Sequence, residues 1–338
     1  MYKKITPYYR TTDNRHVQRY KCLSCGVTFS TQTFSTTYWQ KRPSLNKWIY
    51  IHSANGMANS QIARVLGCAP STVDRKLDRM GRHSLLFLLL LLQVGKPPEE
   101  IVYDGLETFE FSQYLPWHLN IAVEKSTDYI LGFNESELRR KGKMTVEQKE
   151  KRKQLEEKHG RPDPRAIEKS TTDIFENLID GQANVIVYTD EHPQYIKPLK
   201  KHGDHVTHIR TSSKEHRGHH NNLFAINRWD MMLRHGSKNH TRETIAFSKR
   251  RQSGIYRAAI FSVYMNFMMD RRQRGVKGFT PAMARGVMDR KLSYLEIFEC
   301  RLFVSHFDLP GKWSQYYFRE TETRCLPRNK GHTLKYAA

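Results

Sequence analysis

The chain has 338 residues, enough for two or three domains and at least one large core. Its 56 Lys and Arg against 34 Asp and Glu give a net charge of +22 and a pI near 9.8, a balance that calls for a polyanionic partner, nucleic acid first. A 38% hydrophobic content with five Trp argues against a merely solvated basic protein, and an odd five Cys without a secretory signal argues against a disulfide framework and for a cytoplasmic chain.

Residues 1–43 carry few helix signals. Within them Cys22 and Cys25, followed by Gly26 at the tight turn, have the Cys-x2-Cys-Gly spacing of a zinc knuckle. A structural Zn²⁺ needs four ligands, with a second Cys pair roughly 15–20 residues away, and upstream there is only His16. The segment is therefore a partial zinc-ribbon-like unit: either the chain begins too late or the knuckle is held by packing.

Residues 44–96 read as helical. Ser44 is placed to cap a helix from Leu45, and Ser60–Leu66 forms a second helix broken by Gly67. A third opens at Ser71 or Thr72 and carries Arg75, Lys76 and Arg79. With Ile62, Ala63, Leu66, Val73 and Leu77 on helical spacing, this is a helix-turn-helix pattern whose last helix would enter a DNA major groove. The run Leu85–Leu92 is far short of the roughly 20 residues that span a bilayer. It reads as a buried connector helix, with no membrane role.

Pro97-Pro98 marks a boundary, and residues 97–275 follow a different rhythm. Strands are expected at Ile101–Asp104, His118–Val123 and Tyr129–Phe133, then a charged helix at Thr145–His159 whose mixed charges read as a solvated face. After a further helix through Leu178 comes the apolar strand Asn184–Asp190, a short helix near Tyr195–Lys201, a strand near His205–Ile209 and an amphipathic helix Leu223–Arg234. The order is that of an α/β domain, an antiparallel meander opening a mixed sheet with flanking helices. Residues 254–270 form an apolar stripe expected to close its core, and 276–338 an accessory region to which the sequence assigns no role.

Asp104 and Asp190 each end an apolar strand, where a carboxylate is costly unless a cation or donors meet it. If the strands are neighbours, both acids reach one sheet edge and can hold divalent metal for phosphodiester chemistry. The basic, His-rich stretch Lys214–His220 reads as solvated or phosphate-facing. Arg242, Lys249, Arg250 and Arg251 read as a strip contacting phosphates.

The ordered combination of the Cys22–Cys25 knuckle, the helix-turn-helix, the two strand-end aspartates and the stretch from Ile226-Asn227-Arg228 to Lys249 resembles bacterial insertion-sequence transposases with a zinc ribbon, a helix-turn-helix and a ribonuclease-H-like DDE catalytic domain. The likeness spans roughly residues 16–270. It implies Mg²⁺- or Mn²⁺-dependent cleavage of double-stranded DNA at transposon ends, strand transfer into a target, work as a homo-oligomer on the bacterial nucleoid, and Asp104 and Asp190 as the first two acids. The family's third acid, a helical Glu, matches Asn227 here. Asp230, three residues on, and Glu243 are the other candidates, with Asn227 or Asp230 preferred.

Overall fold

The computed structural model describes residues 1–179, 184–241, 245–271 and 278–326. At the N-terminus β1 (Tyr2–Arg10), β2 (Arg15–Cys22) and β3 (Thr28–Ser30) form a three-stranded antiparallel sheet. Tyr2, Tyr20 and Phe29 pack their rings together on it, and the Cys22–Cys25 turn joins β2 to β3.

Three helices follow: α1 (Leu45–Ala54), α2 (Asn59–Val65) and α3 (Pro70–Val94). Ser44 precedes α1 but its side chain makes no capping hydrogen bond. The break between α2 and α3 falls at Gly67, whose φ of +57° disfavours a side chain. Pro70 opens α3 at a position where its missing N–H costs nothing, one residue ahead of the predicted start. The predicted recognition helix and the Leu85–Leu92 connector prove to be one 25-residue helix. No helix among the described residues is long and apolar enough to cross a membrane.

The second sheet has five strands: β4 (Glu100–Glu110), β5 (Ser112–Glu124), β6 (Ile130–Glu137), β7 (Val185–Thr189) and β8 (Val206–Arg210), in the order β6-β5-β4-β7-β8. The first three pair antiparallel, while β4–β7 and β7–β8 pair parallel. This is the mixed α/β sheet expected from the element order. Between β6 and β7 lie α4 (Val146–His159), capped by Thr145 through its hydroxyl and the Gln148 N–H, and α5 (Ala166–Ile179). α6 (Ile196–Lys200) links β7 to β8, and α7 (Phe224–Gly236) and α8 (Arg251–Phe267) follow. Strand alternation sends Asn120 toward α5, by way of Asn134 and the Ser170 carbonyl, and Trp117 toward Gly254 of α8, so helices cover both faces.

The apolar half of α3 packs along α8, where a Cβ on Gly81 would lie 2.4 Å from Tyr256. Buried side chains from Ile49 to Tyr316 form one continuous cluster. The region after residue 276 contributes to it through α9 (Pro281–Ala284), α10 (Tyr294–Phe298) and α11 (Lys312–Phe318): Trp313 donates its indole N–H to the Phe133 carbonyl at 2.7 Å, and the Tyr316 hydroxyl accepts from the Glu135 N–H.

Candidate functional site

β4 and β7 are adjacent and parallel, with Val102 opposite Tyr188 as the last paired position. Carried two residues further, that register sets Asp104 opposite Asp190. Asp104 does not end its strand as predicted: β4 runs on to Glu110 against β5, and it is the pairing with β7 that stops just short of the acids. The gap stands where the chain direction reverses across the sheet, β4 connecting to one side and the crossover from β6 entering on the other. In open α/β sheets such a switch point is where ligands bind.

Burial pushes the Asp104 carboxyl up to about 7, and the neighbouring Asp190 charge pushes the same way. Its Oδ1 accepts from the Gly105 N–H at 2.7 Å and faces the Tyr195 hydroxyl at 3.4 Å, and Arg217 is near enough to act in the opposite direction. Asp190 Oδ1 accepts from the His192 N–H at 2.9 Å. His192 is held below its usual range, chiefly by burial. Neither aspartate forms an ion pair among the described residues. Tyr195, His192 and Arg217 lay outside the sequence-based site; the only sequence signal for Arg217 was the basic loop around it, whose charge reaches the acids rather than solvent alone.

α7 packs across β4 and β5 and carries Asn227 and Asp230, both half-buried. Among the described residues no three His, Cys, Asp or Glu side chains stand close enough to hold one metal ion, so Asp230 is not gathered with the aspartate pair in this conformation. Arg242 and Glu243 fall outside the described residues. Nor does any group of three such side chains form around Cys22 and Cys25 among the described residues. The two thiols lie together, and the backbone N–H groups of Cys25 and Ser24 bring Cys22 down to about 7.

The predicted DNA contacts divide. Ser71 and Arg75 are exposed and Thr72 half-exposed at the start of α3. Lys76 is buried, donating to Asn46 Oδ1 at 2.6 Å and Gln40 Oε1 at 3.1 Å, and burial lowers it to about 8. Arg79 donates to the Tyr38 carbonyl at 2.9 Å. Both therefore fasten α3 to the N-terminal region instead of facing a groove. Lys76 lies three residues after Val73, inside the apolar stripe, which was the signal for this. Lys249 is exposed, its ammonium 4.1 Å from the Phe247 ring, and Arg250 is half-buried. Arg251 leaves the phosphate strip altogether. It is buried in a cage of Glu110, Glu135 and Glu137, which bind its guanidinium, with Glu135 at 2.9 Å.

A cleft of about 780 Å³ is lined by His192 and Gln194, which follow Asp190 in the chain. Its other walls come from the β4–β5 hairpin (Phe109, Pro116), the residues after β6 (Leu138–Gly142) and the link into α5 (Arg161–Pro164). No protein-family model matches the chain, and no curated protein matches its sequence.

Proposed function

We infer that the chain is a metal-dependent polynucleotidyl transferase of the transposase type, acting on double-stranded DNA with a ribonuclease-H-like catalytic unit. The observation that carries this is the pair Asp104 and Asp190: in register at adjacent parallel strands, at the switch point, both half-buried, and neither in an ion pair among the described residues. The strand order, three antiparallel strands followed by two parallel ones, supports the ribonuclease-H-like reading.

Two close carboxylates, the Asp190 charge raising the proton affinity of Asp104, that offer only oxygen donors fit a hard divalent cation. Mg²⁺ or Mn²⁺ held by Asp104 and Asp190 would supply positive charge at the phosphodiester under attack. The chain's own groups do the rest. The Gly105 and His192 N–H groups fix the carboxylates, Arg217 offers a phosphate contact, and Asn227 on α7 is the nearest match to the family's third ligand, a neutral amide oxygen that ligates more weakly than a carboxylate. Ser71, Thr72 and Arg75 offer a DNA-facing end of α3.

A second reading, a DNA-binding regulator or decayed copy that binds without cutting, is favoured by one observation: no third carboxylate joins the pair among the described residues. The deciding experiment incubates the native chain and Asp190→Ala with the DNA flanking its gene in Mg²⁺ or Mn²⁺. Cleaved and joined products that vanish in the variant are expected. Binding without cleavage by the native chain establishes the second reading, and cleavage without joining indicates a nuclease.

A further inference from the structure

The charged helix α4, which by composition is only a solvated face, contributes Arg152 to the lining of the cleft that holds His192. Three cations of that cleft make no salt bridge among the described residues. Lys141 and Arg161 are exposed and make no ion pair among the described residues. Arg140 lies over the Tyr114 ring at 4.8 Å, with its Nη1 buried and without a hydrogen-bond partner. The acids nearby are mostly spent: Glu137 on Arg251 and Arg324, Asp163 on Lys169 at 2.5 Å, and Glu156 on Arg139 at 2.7 Å. Beside this charge the cleft is lined by the half-buried Phe109 and by Pro116, which is itself buried.

The geometry points to this cleft as a binding site for single-stranded DNA, a few nucleotides of one strand lying along His192, two residues from Asp190, with phosphates on Arg140, Lys141 and Arg161 and a base face against Phe109. The choice of DNA rests on the proposed function. The chemistry favours a single strand over a duplex. A duplex hides its base faces and presents phosphates to a broad surface, whereas a strand pulled from it offers both phosphate charge and apolar base faces, and cation-plus-aromatic grooves take that combination. The volume points the same way: about 780 Å³ lies within the roughly 300–1,000 Å³ of sites that enclose a small ligand.

The test measures binding in EDTA, so that no strand is cut and the result does not depend on catalysis. The full chain is titrated into fluorescent oligothymidylate of about 12 nucleotides and, separately, into a blunt duplex, over a range of KCl concentrations. Lys141→Ala/Arg161→Ala is compared with Lys149→Ala/Lys151→Ala, which removes the same charge from exposed positions of α4 outside the cleft. Affinity of the first variant for oligothymidylate is expected to fall about tenfold, with the log–log salt slope reduced by roughly 1.4, at about 0.7 for each phosphate no longer neutralised. The second variant stays close to the native chain, and duplex binding changes less than single-strand binding. Arg140→Ala weakens oligothymidylate binding in the same direction.

Equal losses in both double variants, equal losses on duplex and single strand, or no binding of oligothymidylate by the native chain would each overturn the assignment. A native chain that binds the single strand through these residues but never cleaves DNA in Mg²⁺ or Mn²⁺ would overturn the catalytic reading and leave the cleft standing.

Discussion

The five-stranded sheet carries two clusters of acids, and the chain treats them in opposite ways. Glu110, Glu135 and Glu137 are surrounded by counter-charge: all three meet Arg251, Lys312 bonds Glu135 at 3.0 Å, Arg324 bonds Glu137 at 2.5 Å, and Thr323 donates to Glu110 at 2.6 Å. Burial pushes Glu135 and Glu137 up, but Arg251 and its fellow cations outweigh it and hold both below the usual carboxylate range. At Glu110, which has Arg251 alone for a cation, burial prevails. Asp104 and Asp190 have no ion-pair partner among the described residues, and burial with the Asp190 charge leaves Asp104 high. That contrast supports the proposal that the first cluster is structural and the second receives a cation.

Three experiments bear on the contrast, in decreasing order of effect. Arg251→Met leaves the buried Glu110 without its cation and Glu135 and Glu137 with one each, and breaking a buried ion network typically costs about 3–5 kcal/mol. Urea unfolding is expected to register that loss, and a loss under about 1 kcal/mol would mean the cage is incidental. Asp104→Asn should do the reverse. A group whose folded pKa is raised to about 7 from 3.8 weakens the fold wherever it is ionised, and the penalty disappears as pH falls from the folded value toward the unfolded one. The variant should therefore be more stable than the native chain by ~2–4 kcal/mol at pH 8, an advantage shrinking by about 1.4 kcal/mol per unit below pH 7. Destabilisation of Asp104→Asn at pH 8 would place the pair among the structural acids. Third, Mg²⁺ at about 100 times its dissociation constant should stabilise the native chain by about 2.7 kcal/mol in calorimetric melts. The gain should be absent in Asp190→Asn; an equal gain there would move metal binding away from the pair.

The two clusters also differed in how visible they were from the sequence. Asp104 and Asp190 stood out because each follows a run of apolar residues with strand character, and the order of elements made their strands candidates for adjacency. The cage left no local trace. Glu110, Glu135, Glu137 and Arg251 are separated by up to 141 positions, and Arg251 sits in a basic run that looks like a phosphate contact. Side-chain direction was the other limit. Lys76 and Arg79 lie on a helix whose outward face was legible, but which of its cations turned inward depended on the position of Tyr38, Gln40 and Asn46 in a region with little periodicity. The contribution of Arg152 of α4 to the cleft was hidden for the same reason.

The cage also has a consequence in time. Its members include residues 110, 135, 137, 251, 312, 323 and 324, so it cannot close until nearly all of the described chain has left the ribosome. At translation rates of roughly 5–20 residues per second, strands β4 to β6 wait on the order of ten seconds or more for Lys312 and Arg324 to emerge. Until then the three glutamates lack the counter-charge they have in the folded chain.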